Sequence, residues 1–204
     1  MKTSRLEAFS DGVMAIIITI MVLELKPPEG HDLADFVHST GIGLLTYLLS
    51  FVYVGIYWNN HHHMFHLVQR VTGGVLWANL ALLFCLSLFP FTTAWVDESR
   101  FAQTPVVIYG INMLAAGAAY YVLQLVIIRS QGAESVLRQA LGADLKGKMS
   151  PVLYLAGVLS ALLIDPHGRV GVGIALAFYV GVAIMWLVPD RRIDHRLREN
   201  EPAN

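Results

Sequence analysis

Long apolar runs separated by short polar segments fill most of the sequence. A membrane-spanning helix rises 1.5 Å per residue and needs about 20 mostly apolar residues. The runs show no alternation of the kind found in transmembrane barrel strands, so they predict an all-α bundle. We expect six of them to be spanning helices: 5–25, 42–66, 72–95, 105–129, 150–165 and 169–188.

Local features refine this prediction. The fifth run is short, and the turn residues 165–168 after it predict a hairpin of helices five and six. Pro90 lies inside the third run and predicts a kink there, since proline has no amide hydrogen. We expect a short amphipathic surface helix within 130–149, one six-helix domain over 1–190 and a charged cytosolic tail at 191–204.

The composition supports a membrane protein. Hydrophobic residues make up 55% of the chain and charged residues only 14%, whereas soluble domains carry roughly 25% charged residues. The mean hydropathy is +0.56. A net charge of −1 argues against a basic nucleic-acid-binding protein. Asp11 interrupts the first run and no cleavage site follows, so we expect a retained helix rather than a signal peptide.

The distribution of Lys and Arg predicts the orientation, because these residues concentrate on the cytosolic side. Most of them share a side with the N-terminus, and the other side holds Lys26, Arg100 and Arg169. We therefore expect both termini in the cytosol.

The first run has distinct faces when it is drawn as a helix with about 100° per residue. Ser10 and Asp11 lie on the two flanks of one stripe. That stripe contains Arg5, Gly12, Ile16, Thr19 and Leu23, with Ile20 at its edge. The stripe has two interpretations. In the first, it faces lipid or ordinary bundle core. In the second, it lines the axis of a symmetric oligomer, where apolar rings would control permeation by dewetting.

Polar side chains on the first three runs fall at one depth in the inner half of the membrane. Ionisable groups in hydrocarbon normally face the bundle interior and find a partner. We therefore hypothesise that Trp58 and the neighbouring histidines hydrogen-bond to Ser10 or Asp11. The members at this depth are Ser10, Asp11, Trp58, His61, His62 and Asn79.

The segment WNNHHHMFH, residues 58–66, also permits another chemistry. His62 and His66 have the i,i+4 spacing of metal or haem ligands. No carboxylate or thiolate stands out near them, so a packed hydrogen-bonding cluster without metal is favoured. The sequence also lacks GxSxG, HExxH, a phosphate-binding loop and the TVGYG potassium filter. We expect no enzyme and no catalytic residue.

Three ordered motifs carry a resemblance to a known family. Arg5-x-x-x-Phe9-Ser10-Asp11, followed by GVMAIIITIMVLEL, resembles the first helix of the lysosomal potassium channel family, transmembrane protein 175. WNNHHHMF resembles its second-helix pattern, and LWANLALLFCLSLFPFTTAWV resembles its third. The resemblance is specific over 5–96 and looser beyond.

This resemblance implies a bacterial channel with one six-helix unit per chain, assembled as a homotetramer. It implies that the first helix lines a potassium path, narrowed at Ile16 and Leu23 with Thr19 between them. It implies no cofactor apart from the permeant K⁺. It also implies an interhelical polar network of Arg5, Phe9, Ser10, Asp11, Trp58, His61, His62 and Asn79. His63 and His66 lie beyond the matched histidines and have no assigned role.

We therefore predict a potassium-permeable channel of the bacterial inner membrane. Its partners are copies of itself, the lipid bilayer and monovalent cations, with no nucleic acid. Three alternatives stay open. One is a proton-permeable channel that uses the histidines and Asp11. Another is a haem or metal redox protein. The third is a secondary transporter, which no internal inverted repeat supports.

Overall fold

All regular secondary structure in the described part of the chain is helical, and no strand is present there. The computed structural model describes residues 2–28, 30–132, 135–141, 144–165 and 169–187. This agrees with the predicted all-α fold. The helices are α1 Thr3–Leu23, α2 Leu33–Ser39, α3 Gly41–His66, α4 Gly73–Ser87, α5 Phe89–Glu98, α6 Gln103–Gln131, α7 Val136–Leu141, α8 Leu145–Leu163 and α9 Val170–Leu187.

Five segments within the described ranges are long and apolar enough to cross a membrane. They are α1, α3, the combined segment Gly73–Glu98, α6 and α9. The predicted span 150–165 corresponds to α8, which is not among the five. This helix starts five residues earlier than expected, because the Asp144 carboxylate accepts a hydrogen bond from the Gly147 amide at 3.1 Å. The first turns of α8 therefore include Lys146 and Lys148, which lower its apolar character.

The third predicted span is interrupted next to Pro90, as expected. α4 ends at Ser87 and α5 begins at Phe89, with Pro90 in the first turn of α5. Proline fits the first turn, where its missing N–H has no intrahelical partner anyway. The Ser87 hydroxyl donates to the Phe84 carbonyl at 2.7 Å, which helps to end α4.

Two short helices lie in the connections. The runs did not predict α2. Its start is stabilised by Asp35, whose carboxylate accepts a hydrogen bond from the Asp32 amide at 3.3 Å. α7 lies in the linker 130–149 and buries Leu137 completely. α8 and α9 pack along each other, but the predicted turn at 166–168 and the tail at 191–204 lie outside the described residues.

The core sits where α3, α6, α8 and α9 meet. The ring of Tyr179 on α9 enters the space left by Gly110 and Gly157, and a Cβ atom at either glycine would collide with it. Buried hydroxyls satisfy one another nearby: Ser50 lies 2.7 Å from Thr93 and 2.9 Å from Tyr109. α1 packs against α3, α4 and α5.

Candidate functional site

α1 buries one face against its neighbours. The buried residues recur every three or four positions, which is the spacing of a helical stripe. They are Leu6, Ser10, Met14, Ile17 and Met21. This face fixes the rotation of α1 about its axis.

The opposite face of α1 is exposed within the chain. Ile16 is 58% exposed and Leu23 is 78% exposed. A Cβ atom at Gly12 would meet nothing within 4 Å. The stripe that the helical wheel singled out lies on this face: Arg5, Gly12, Ile16, Thr19, Ile20 and Leu23. We call it the open stripe.

Thr19 is the one hydroxyl in the open stripe. Its Oγ1 lies 2.9 Å from the Ile16 carbonyl oxygen and 3.1 Å from that of Ala15. The hydroxyl proton is therefore donated to the helix backbone, which leaves the oxygen lone pairs free. An oxygen in this state can accept a hydrogen bond from water or contact a cation.

A compact polar network joins α1, α3 and α4. The Asn79 amide nitrogen donates to Ser10 Oγ at 2.9 Å, and Ser10 Oγ donates to the Leu6 carbonyl at 2.9 Å. The Asn79 carbonyl oxygen lies 2.8 Å from His61 Nε2. Ser10, His61 and Asn79 are completely buried.

The partners in this network fix the protonation of His61. An amide oxygen only accepts hydrogen bonds, so His61 Nε2 carries the proton. His61 Nδ1 is buried and has no hydrogen-bond partner among the described residues. The ring stacks on Phe65 with 4.2 Å between ring centroids. His61 therefore acts as a neutral donor that orients Asn79.

The other predicted members of the interhelical network lie elsewhere. Phe9 is 52% exposed, and Arg5 is exposed as well, because both fall on the side of α1 that faces away from α3 and α4. Trp58 is 44% exposed and stacks on His62 one helical turn along α3. The hypothesised hydrogen bonds from Trp58 to Ser10 or Asp11 do not form among the described residues.

Asp11 lies beside the network without joining it. The residue is half-buried, and its Oδ1 atom has no hydrogen-bond partner in the described part of the chain.

A second cluster joins α1 to α3 at the opposite end of α1 from Leu23. His62 Nδ1 lies 2.9 Å from Glu7 Oε1, and His62 Nε2 lies 3.0 Å from His66 Nε2. Sequence reasoning found the two histidines but missed Glu7. Glu7 comes beside His62 only because α1 packs against α3, and no local sequence pattern reveals that packing. The expectation that no carboxylate lies near these histidines is therefore wrong.

An open groove of about 730 Å³ runs between α1 and the α4–α5 segment. Ile16 and Ile20 of the open stripe line one wall, and Phe91 and Trp95 line the other. Glu24 and Glu98 lie at one end of the groove. Lys26 binds Glu98 there at 2.7 Å, and this hydrogen bond, together with the opposite charge, raises the pKa of the Lys26 ammonium.

Comparisons with known proteins agree on one family. The sequence model of the endosomal/lysosomal potassium channel TMEM175 matches residues 5–90. A protein from Chryseobacterium sp. (strain P1-3), named as a potassium channel, is 50% identical over 200 residues, which cover 98% of this chain and all of that protein. The human endosomal/lysosomal proton channel TMEM175 is 31% identical over 116 residues, which cover 52% of this chain and 23% of the human protein.

The fold also matches a solved structure. It is the crystal structure of a lysosomal potassium-selective channel TMEM175 homolog from Chamaesiphon minutus. The TM-score is 0.73 at 27% sequence identity, and the match covers 92% of this chain and 97% of that one.

Proposed function

Because the chain belongs to the TMEM175 family of ion channels, we propose that it conducts potassium through a homotetramer whose path is lined by four copies of α1. The chain is a multi-pass membrane protein and a cation channel rather than an enzyme. The potassium preference, the tetramer and the pore-lining residues are the parts that we propose.

The open stripe carries this proposal. The buried face of α1 packs against α3, α4 and α5, whereas the open stripe stays exposed in the single chain, with Ile16 and Ile20 at its edge beside the groove toward α5. Copies of α1 that meet at a symmetry axis would turn these stripes toward one another. Gly12 would permit close approach, because it has no side chain and its surroundings are open.

The chemistry of the stripe suits a narrow cation path. Rings of Ile16 and Leu23 would form apolar constrictions, which control permeation by dewetting or by forcing an ion to shed water. The free lone pairs of Thr19 would replace part of that lost hydration. Potassium holds its water less tightly than sodium, so such a path favours potassium. Ile20 would flank the constriction from the edge of the stripe.

The polar network would hold the pore helix in place. Ser10 is on α1, Asn79 on α4 and His61 on α3, so their hydrogen bonds fix α1 against two neighbours. Among the described residues, the network receives no hydrogen bond from the other expected members, which are Arg5, Phe9, Asp11, Trp58 and His62.

Bilayer recording from purified protein tests the function, with potassium on one side and sodium on the other. We expect a cation current whose reversal potential favours potassium. Ile16→Asn should raise the conductance and reduce the selectivity, because a polar ring wets the constriction. Ile184→Asn on α9 is the matched control, since Ile184 is 60% exposed and lies far along the chain from α1. The absence of any cation current from the wild-type protein would refute the proposal.

Proton permeation is a second candidate, favoured by the name of the human relative and by the unpartnered Asp11 oxygen. Separate potassium and pH gradients distinguish the two ions. A reversal potential that follows the pH gradient alone would replace potassium by protons as the permeant ion.

We also propose that the channel resides in the bacterial inner membrane with both termini in the cytosol. The bias of Lys and Arg toward one side supports this orientation. Reporter fusions at residue 1 and after residue 204 test it, and both should be active on the cytosolic side.

A further inference from the structure

We propose that Glu7, His62 and His66 form a binding site for a divalent transition metal, with Zn²⁺ as the best match, and that the metal ties α1 to α3. The site involves neither the open stripe nor the Ser10–Asn79 network. Its binding of metal does not depend on the proposed conduction.

The geometry is close to that of a chelating site. One ligand atom from each of the three side chains can be chosen so that all lie within 4.8 Å of one another. His62 Nδ1 lies 2.9 Å from Glu7 Oε1, and His62 Nε2 lies 3.0 Å from His66 Nε2, so the two close contacts use different nitrogens of one ring and a single ion would take only one of them. Zn²⁺ binds nitrogen and oxygen at about 2.0–2.2 Å, so tetrahedral ligands lie about 3.3 Å apart. Rotation of the Glu7 and His66 side chains toward one nitrogen of His62 would bring the three ligand atoms from within 4.8 Å of one another to that spacing.

His62 and Glu7 approach each other closely without forming a hydrogen bond. His62 Nδ1 is buried and lies 2.9 Å from Glu7 Oε1, yet the two atoms are not aligned for a hydrogen bond. Ligands of a metal point at the ion rather than at each other. Both atoms therefore remain available to a metal ion.

The ligand chemistry selects the class of metal. Two imidazoles and one carboxylate suit Zn²⁺ and related transition ions, whereas Ca²⁺ and Mg²⁺ prefer oxygen ligands. Three protein ligands leave a fourth position for water. The site is reachable from solvent, because His66 is exposed and the His62 and Glu7 side chains are 38% and 20% exposed.

His63 provides an internal control. It follows His62 directly, and the two rings have centroids 5.8 Å apart. It is nevertheless not part of the three-residue cluster. His63 therefore shows how much zinc a nearby histidine binds when it does not belong to the cluster.

Calorimetric titration of the purified full-length protein with ZnCl₂ tests the site. We expect about one high-affinity Zn²⁺ per chain, and MgCl₂ should give no comparable heat. Glu7→Gln, His62→Gln and His66→Gln should each weaken binding at least tenfold, whereas His63→Gln should bind like the wild type. The proposal fails if the wild type shows no stoichiometric binding, or if His63→Gln weakens binding as much as His66→Gln.

Thermal unfolding in detergent tests the link between the two helices. Zn²⁺ should raise the unfolding temperature of the wild type by several degrees, because a ligand that binds only the folded state stabilises it. A chelator should reverse the shift, and His66→Gln should show none. Unfolding without added metal also shows whether each variant folds. If the wild type binds Zn²⁺ stoichiometrically but its unfolding temperature does not change, the metal does not tie α1 to α3.

Discussion

Asn79 illustrates how single residues hold α1 in place. Its amide nitrogen donates to Ser10, and its oxygen accepts from His61, so both polar ends of one side chain are used in a buried setting. Leucine would fill a similar volume but would leave Ser10 Oγ without its donor and His61 without its acceptor. The choice of asparagine follows from the need for a donor and an acceptor on one short side chain.

Asn79→Ala should destabilise the protein. Each buried group left unsatisfied costs about 1–3 kcal/mol, although hydrogen bonds measured inside membranes average about 0.6 kcal/mol. We expect a clear drop in the unfolding temperature in detergent. Asn60→Ala is the matched control, because within the described ranges the Asn60 side chain bonds to the Ile56 carbonyl of its own helix, at 2.8 Å, and to no other helix. Equal drops in the unfolding temperature for the two substitutions would show that the network does not stabilise the packing of α1 against α3 and α4.

Thr19→Val should reduce potassium current without affecting folding. Among the residues that the structure describes, the Thr19 hydroxyl bonds only to carbonyls of its own helix, so its loss breaks no hydrogen bond between those helices. A lost oxygen contact worth about 1 kcal/mol lowers the current about fivefold. Thr19→Ser keeps the oxygen and should conduct like the wild type. A Thr19→Val current equal to that of Thr19→Ser would remove Thr19 from the ion path.

At the scale of elements, the predictable parts and the missed parts have separate physical causes. The apolar runs and Pro90 act locally, so the long helices and the break between α4 and α5 follow from the sequence. The start of α8 differs from the prediction because the Asp144 side chain caps the helix before the apolar run begins. The Asp32-x-x-Asp35 pattern was a signal for α2 that hydropathy does not register. Glu7 could not be predicted beside His62, because that contact depends on how α1 packs against α3.

The packing of α6 against α8 and α9 leads to a further prediction. An alanine Cβ at Gly110 would overlap the Tyr179 side chain and approach Val158 Cγ2 to 2.9 Å. Overpacking of this kind costs about 1–3 kcal/mol, so Gly110→Ala should lower the unfolding temperature. At Gly117 on the same helix, the nearest atoms would be 3.7 Å away. Gly117→Ala should therefore be neutral or stabilising by about 0.5–1 kcal/mol, and the reverse order would contradict the described helix packing.

At the scale of the whole molecule, the chain presents an exposed apolar stripe on a helix whose other face is fully packed. In a bilayer this exposure carries little free-energy cost, since lipid chains are as apolar as the side chains. The family identity gives the stripe its proposed meaning, a channel lining shared by several copies. The proposed channel therefore depends above all on the orientation of Ile16 toward the ion path.

Thiol modification of Ile16→Cys during bilayer recording tests this orientation. Cys85 is the only cysteine of the chain, so Cys85→Ala provides a thiol-free background. A charged thiol reagent added during recording should sharply change the current of Ile16→Cys, because it places a charge in the constriction. Ile184→Cys, equally exposed in the single chain, should be unaffected. An unchanged current for Ile16→Cys after complete modification, verified by mass spectrometry, would show that Ile16 does not face the ion path.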